Sequence, residues 1–200
     1  MIVTFIMLFV AGGKIKHLFG IILPALFTLA IFFIFSSDYR RERMLNFIDP
    51  WKDAADAGYQ LIQSFLALGS GGLTGLGLGQ SRQKTLYMPE PHNDFIFSII
   101  GEEVGLIGCL FIIGLFLIFI WRGVKVAMNA RDTYGKLLAM GITSIIAVQA
   151  IINIAVVTGS MPVTGVPMPF ISYGGTSLVI NLTAMGILLN ISRQVERKIV

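Results

Sequence analysis

The chain has 200 residues, of which 55% are hydrophobic and 13% charged, and its formal net charge is +4 at pH 7. Its mean hydropathy of +0.80 excludes an ordinary soluble domain, because one core of this size cannot hide so much apolar surface. The apolar stretches between clusters of charge have about the length that crosses a ~30 Å hydrocarbon layer. The composition therefore predicts an all-α fold, a polytopic transmembrane helical bundle.

The apolar stretches define the predicted spans. Residues 1–11 are too short to cross and lack a basic start, so we interpret them as a remnant span rather than a signal peptide. Four later stretches are long enough to be full spans: 19–36, 95–121, 137–157 and 171–191. Residues 1–200 are thus predicted to be a single integral membrane region, and the remnant indicates a fragment of a longer protein.

Lys and Arg in the connecting segments predict the orientation of the spans. Residues 12–18 and 122–136 carry net charges of +2 and +3, and the tail beyond residue 191 carries +2. The loop 37–94 has six basic and seven acidic residues, and residues 158–170 have no charge. Positive-inside reasoning therefore places the loop 37–94 on the extracellular side and the C-terminus in the cytoplasm.

The loop 37–94 is longer than a connection between two spans requires, and loops of this length are usually functional. Its residues 58–68 have apolar side chains at helical spacing, which predicts a helix at the interface or dipping back into the protein. Six glycines follow in residues 69–79, either as a tight turn or as backbone amides that approach a diphosphate. Arg82 and Lys84 come next, either solvated or neutralising phosphate.

The end of this loop, residues 87–94, combines two prolines with Glu90, His92 and Asp94. Asn93 or Asp94 would cap the following helix, because a side-chain oxygen there accepts from the free N–H groups of the first turn. From spacing alone, capping is favoured over catalysis for Asp94.

Polar residues inside a span need a partner, a cavity or a proton. Glu102 and Glu103 point about 100° apart on a helix, so at least one is expected to face the bundle interior. A structural hydrogen bond and a functional role both remain open for them. Asn153 is interpreted as an interhelical hydrogen-bond partner, and Cys109, the only cysteine, as a packing residue.

Residues 158–170 contain three prolines and two glycines. Such a segment is rigid and irregular, and at membrane depth it must line a cavity or pack on protein. We expect it to form one wall of a site that faces the long loop. Beyond it, the Gly174-Gly175 pair is expected to kink the last span.

Several motifs, taken in chain order, resemble the SEDS family, whose FtsW, RodA and SpoVE members serve cell shape, division and sporulation. They are Phe47-Ile48-Asp49-Pro50, Gly58-Tyr59-Gln60, Gly69-Ser70-Gly71-Gly72, Gly77-Leu78-Gly79, Pro89-Glu90-Pro91-His92-Asn93-Asp94-Phe95-Ile96-Phe97, Gly101-Glu102-Glu103 and Pro169-Phe170-Ile171-Ser172-Tyr173-Gly174-Gly175. The Ser81-Arg82-Gln83-Lys84 stretch is closer to the FtsW/SpoVE branch than to RodA.

The resemblance implies the C-terminal half of a ten-span peptidoglycan glycosyltransferase that polymerises lipid II into glycan strands for cell division or sporulation. Lipid II is the undecaprenyl-diphosphate-linked disaccharide-pentapeptide. The implied partners are lipid II and the lipid-linked glycan, a class B penicillin-binding transpeptidase and other divisome proteins; no nucleic acid is expected.

The resemblance also implies the roles of individual residues. Asp94 matches the family's essential aspartate, acting as a general base or holding a divalent cation, Mg²⁺ or Mn²⁺, on the diphosphate. Some members carry a lysine where this chain has Thr164. An ion pair from that position to Asp94 is therefore not available in this chain. Substrate binding is expected at four residues of the long loop: Arg82, Lys84, Glu90 and His92. Structural or cavity-lining roles are expected at four residues of the spans: Glu102, Glu103, Gly174 and Gly175.

Two other functions fit the sequence. A transporter that flips lipid-linked precursors would use the carboxylates of Glu102 and Glu103 inside the membrane. An inactive truncated scaffold is the other, because a cavity built from ten helices need not close with half of them.

Overall fold

The computed structural model describes residues 2–13, 20, 24, 28–29, 31, 47–53, 58–81 and 94–196. Within these ranges all regular structure is helical, and no strand is present. The predicted all-α fold is therefore confirmed. Most of the predicted span 19–36 lies outside the described residues.

The described helices follow one another in this order: α1 Ile2–Val10, a 3₁₀ turn Pro50–Asp53, α2 Tyr59–Gly71, α3 Ile96–Asn129, α4 Thr133–Val157 and α5 Gly175–Glu196. Within the described ranges, three segments are long and apolar enough to cross a membrane: Ile96–Asn129, Thr133–Val157 and Gly175–Val195. Large apolar side chains such as Phe111 and Leu117 are exposed on α3, as lipid contact requires. These features are those of a multi-pass membrane protein.

Helices α3 and α4 are longer than the apolar stretches that predicted them. With 34 residues, α3 is longer than the roughly 20 residues that cross a ~30 Å hydrocarbon layer, so part of it extends beyond that layer. Helix α4 begins at Thr133, where the carboxylate of Asp132 accepts a hydrogen bond from the Gly135 amide at 3.0 Å and caps the first turn.

Helix α5 begins at Gly175, later than the predicted start at residue 171. The preceding chain forms a turn in which the Met168 amide donates to the Ser172 hydroxyl oxygen at 2.7 Å. Phe170 has a φ of 66°, which an α-helix excludes. The Gly174-Gly175 pair consequently lies at the start of α5 and does not kink it.

The chain divides into two compact units. The first unit contains Met1–Ser36, Phe116–Val148 and Thr176–Val200, and the second contains Ser37–Leu115 and Gln149–Gly175. The core of the first unit consists of buried side chains from α3, α4 and α5: Ala127, Ala139, Ile142, Ile146 and Leu188.

In the second unit, helix α2 packs its buried face on its neighbours, as the spacing in residues 58–68 predicts. The Ser64 hydroxyl donates to the Val157 carbonyl at the end of α4 at 2.9 Å. A Cβ on Gly71 would collide with the backbone of Gly101 on α3, so the glycine at position 71 allows the two backbones to touch. Helix α2 is thus held against the first turns of α3 and the last turn of α4.

Candidate active site

Asp94 lies in the second unit, two residues before the first turn of α3, and is half-buried. The side-chain amide of Asn153, on α4, donates to the Asp94 backbone carbonyl at 2.8 Å. On the other side, a Cβ built on Gly165 would lie 3.5 Å from the Asp94 Oδ2. The carboxylate therefore faces the segment 158–170 at Gly165, with room for a methyl group between them.

Asn153 holds two irregular segments together. Its Nδ2 donates a second hydrogen bond to the Val166 carbonyl at 2.9 Å, and the residue is only 1% exposed. The interpretation of Asn153 as a partner between helices was wrong in detail, because both acceptors are backbone carbonyls outside helices. Among the described residues, its buried Oδ1 has no hydrogen-bond partner.

Residues 158–170, called the wall below, pass beside Asp94, the last residue of the long loop. Gly159 and Gly165 have φ values of 66° and 70°, conformations that favour glycine. A Cβ on Gly159 would collide with the Phe65 ring of α2. Met168 and Pro169 are fully buried. The wall is thus fixed at one end on α2 and passes Asp94 at Gly165.

Helix α3 is broken at Gly105, which has φ 73° and ψ −169°. In an intact helix, the amides of Leu106 and Ile107 would donate to the carbonyls of Glu102 and Glu103. Here these two amides donate to the carbonyls of Gly72 and Leu73, at 3.0 and 3.3 Å. The break therefore leaves the amides paired, with acceptors in the glycine-rich segment 69–79.

The two carbonyls released by the break bind the same segment. Leu76 and Gly77 donate their amides to the carbonyls of Glu102 and Glu103, at 2.9 and 3.0 Å. The Gly75 amide donates to the Gly71 carbonyl at 2.8 Å. These three amides are therefore occupied by backbone, which supports the tight-turn interpretation of the glycines and leaves these groups unavailable to a diphosphate.

The two glutamates of α3 differ in their surroundings. The Glu102 carboxylate is 1% exposed and accepts a hydrogen bond from the Ser81 hydroxyl. Glu103 is partly exposed, but its Oε1 is buried and has no partner among the described residues. The Glu102 carboxylate thus holds Ser81, the residue immediately before Arg82.

The structure places some of the predicted site residues and not others. Asp94, Glu102 and Glu103 all lie in the second unit. Four predicted substrate-binding residues, Arg82, Lys84, Glu90 and His92, lie outside the described residues. A Cβ on Gly175 would meet open space, so close packing does not explain this glycine. Gly174 directly precedes the helix.

Sequence reasoning missed three residues of the site: Ser81, Gly165 and Val166, the second acceptor of Asn153. None of them had a separate signal, because each acts through a contact distant in sequence. A composition cue existed only for Gly165, in the proline-rich segment already expected to form a wall. The proximity of Gly165 to Asp94 arises only when the chain folds.

The chain resembles known proteins over nearly its whole length. A family model for FtsW/RodA/SpoVE proteins, described as "Cell cycle protein", matches residues 1–197. "Probable peptidoglycan glycosyltransferase FtsW" of Geobacter metallireducens is 46% identical over 194 residues, which are 97% of this chain and 52% of that protein. "Stage V sporulation protein E" of Bacillus subtilis is 50% identical over 190 residues, 94% of this chain and 51% of that protein. The chain spans about half the length of these curated relatives.

Solved structures give the same picture. One, reported as "Structural coordination of polymerization and crosslinking by a peptidoglycan synthase complex", has a TM-score of 0.74 and 28% identity, and covers 96% of this chain and 53% of its own. A crystal structure of the rod shape determining protein RodA of Thermus thermophilus has a TM-score of 0.50 and 31% identity, and covers 65% of this chain and 39% of its own.

Proposed function

We propose, since this chain belongs to the FtsW/RodA/SpoVE family, that the protein is a peptidoglycan glycosyltransferase that polymerises lipid II into glycan strands, with Asp94 as its catalytic carboxylate. The observation that carries the proposal is the placement of Asp94. Its backbone is held by Asn153, and its carboxylate faces Gly165 in a proline-rich wall. A carboxylate in a constrained position outside the helices is what a polymerase acting at the membrane surface needs.

The proposed reaction is a displacement at the anomeric carbon of a lipid-diphosphate donor. The 4-hydroxyl oxygen of the acceptor sugar bonds to that carbon while its bond to the diphosphate oxygen breaks, inverting the carbon. Asp94 takes the hydroxyl proton as general base, and the diphosphate leaves with the electron pair. Arg82 and Lys84 are proposed to neutralise the leaving charge, with Glu90 and His92 shaping the substrate site.

The alternative role for Asp94 is to hold a divalent cation, Mg²⁺ or Mn²⁺, on the diphosphate. Among the described residues, no three metal-binding side chains come together. Mg²⁺ is commonly held by one or two protein carboxylates together with substrate phosphates, so Asp94 fits a cation shared with the diphosphate. A bound cation would neutralise the negative charge of the leaving diphosphate.

The proposed orientation places the loop 37–94 and the wall 158–170 outside the cell and the C-terminus in the cytoplasm. This follows from the uneven distribution of Lys and Arg. A class B penicillin-binding transpeptidase and other divisome proteins are the proposed partners, in cell division or sporulation. The peptidoglycan synthase complex among the similar structures supports an assembly of this kind.

A transporter of lipid-linked precursors is the second candidate. The observation that favours it is the buried Oε1 of Glu103, which has no partner among the described residues. An ionisable group of this kind in a membrane helix marks a pathway for protons or polar substrates. The transporter function would depend on Glu103 and would not require Asp94.

The test is polymerisation of purified lipid II by the longest reading frame that contains this chain, with a class B transpeptidase present. We expect Asp94→Asn to lower the rate at least ~100-fold, as loss of a general base does. Asp132→Asn is the matched control, since Asp132 caps α4 in the other unit. Equal rates for wild type and Asp94→Asn would remove Asp94 from the mechanism. No glycan from either, with lipid transport that depends on Glu103, would favour the second candidate, and no activity of either kind would favour a scaffold.

A further inference from the structure

The first unit contains a cavity of about 760 Å³ between the C-terminal ends of α3 and α5. Both helices contribute apolar side chains to its lining, among them Phe119, Met185 and Leu189. The charged side chains of the lining come from α3 alone, where Arg122 and Lys125 lie in the last turns. The cavity is therefore mostly apolar with two cations on its α3 side, a combination that suits the acyl chain and the charged headgroup of a lipid.

Trp121 locates the two cations relative to the membrane. The Arg122 guanidinium and the Lys125 ammonium lie 5.5 and 5.6 Å from the centre of its indole ring. The ring is exposed, and exposed tryptophans of membrane helices concentrate at the membrane–water interface. The two cations therefore stand at the level of the lipid headgroups.

The charge around the cavity is positive. The segment 122–136 carries four basic residues and one acid, Asp132. The Asp132 carboxylate already accepts a hydrogen bond from the Gly135 amide at the start of α4. Arg122 and Lys125 are both exposed, so they can reach a ligand.

We propose that this cavity binds an anionic glycerophospholipid, with its phosphate between Arg122 and Lys125 and an acyl chain along Phe119, Met185 and Leu189. Basic pockets between membrane helices bind acidic headgroups in this manner. The apolar walls would add nothing for a free phosphate ion, and a zwitterionic lipid offers no net charge to the two cations. The site lies in the first unit and does not depend on the proposed glycosyltransferase activity.

The two tryptophans of the chain, Trp51 and Trp121, allow a direct test. Trp51→Phe leaves Trp121 as the reporter beside the cavity. We expect brominated phosphatidylglycerol to quench Trp121 with an apparent affinity at least ~5-fold higher than brominated phosphatidylcholine in mixed vesicles. Glycerol 1-phosphate should not compete, because it lacks the acyl chains.

Paired variants separate this site from general attraction to the membrane. In the Trp51→Phe background, Arg122→Gln with Lys125→Gln should abolish the preference for phosphatidylglycerol. Arg131→Gln with Lys136→Gln removes the same amount of charge at positions outside the cavity lining. This variant should keep the preference for phosphatidylglycerol. Ser192→Phe fills the cavity without a change of charge and should also reduce the preference.

Three results would overturn the proposal. They are equal quenching by both lipids, equal loss in the two charge variants, and an undiminished preference in Ser192→Phe. Competition by glycerol 1-phosphate would instead identify a simple phosphate site. Circular dichroism of each variant establishes that it is folded, and the cavity-filling variant tests the site even if the double charge variant is not.

Discussion

The Asn153 side chain donates a hydrogen bond to the backbone carbonyl of Asp94 at 2.8 Å, although the two residues are 59 positions apart. The same amide nitrogen donates to Val166 at 2.9 Å. One buried side chain thus sets the distance between the proposed catalytic residue and the wall that it faces. We infer that Asn153 positions Asp94 for the proposed reaction.

Asn153→Leu should therefore lower the polymerisation rate strongly while the protein stays folded. The change removes both hydrogen bonds, at about 1 kcal/mol each, and lets Asp94 move relative to Gly165. We expect lipid II polymerisation to fall by about 10- to 100-fold, since small displacements of catalytic groups have effects of that size. Asn181→Leu, at a similarly buried asparagine of α5, should leave the rate nearly unchanged. Equal losses for the two variants would indicate a general effect on folding.

Gly165→Ala tests the wall itself. Gly165 has a φ of 70°, where an alanine costs about 1–2 kcal/mol. Relief of that strain would shift the backbone beside the Asp94 carboxylate and slow polymerisation. Gly159→Ala introduces similar backbone strain at φ 66° and, in addition, a collision with the Phe65 ring. We would measure the polymerisation rate and the melting temperature of both variants. For each degree of melting temperature lost, Gly165→Ala should lose more polymerisation rate than Gly159→Ala. The reverse order would separate this part of the wall from the chemistry.

Gly105→Ala should destabilise the second unit. The backbone there has a φ of 73°, and a Cβ would collide with the Leu73 carbonyl and the Gly75 amide. We expect a loss of at least about 1–3 kcal/mol, measured by thermal unfolding in detergent. Gly114→Ala in the same helix meets open space and should be neutral or stabilising by up to about 1 kcal/mol. A Gly105→Ala protein as stable as wild type would contradict the broken geometry of α3.

A double-mutant cycle tests the contact between Ser81 and Glu102. Ser81→Ala removes a hydroxyl donor from a buried carboxylate, which should cost about 1–3 kcal/mol. In a Glu102→Gln background the same change should cost less, because a neutral amide is less expensive to leave without that donor. The coupling energy should be about 0.5–3 kcal/mol, from unfolding of all four proteins. Additive effects would mean that the hydrogen bond adds nothing.

The sequence was sufficient for the parts of the fold that depend on periodicity and composition. Apolar length predicted helices near α3, α4 and α5, and helical spacing predicted α2. The motif ending in Asp94 supplied the proposed catalytic residue through resemblance, whereas spacing alone favoured a cap. Its neighbour Gly165 could not be paired with it, because proximity of two loops arises only after the helices that carry them have packed.

The break in α3 shows a second limit of pattern reasoning. Gly105 lies inside the predicted span 95–121, where a glycine ordinarily permits close packing of helices. The actual role depends on four backbone hydrogen bonds to the glycine-rich segment. Backbone groups are identical in every residue, so such an exchange leaves little trace in side-chain pattern. The same holds for the start of α5, which was predicted too early because the turn at Phe170 is apolar.

The break at Gly105 also makes two parts of the chain depend on each other. Lipid offers no hydrogen-bond partners, so backbone groups released from a membrane helix must be paired by protein. The glycine-rich segment supplies the partners of all four groups at this break, the carbonyls of Glu102 and Glu103 and the amides of Leu106 and Ile107. A change that displaces this segment should therefore also disturb the first turns of α3, so the two elements gain or lose their native structure together.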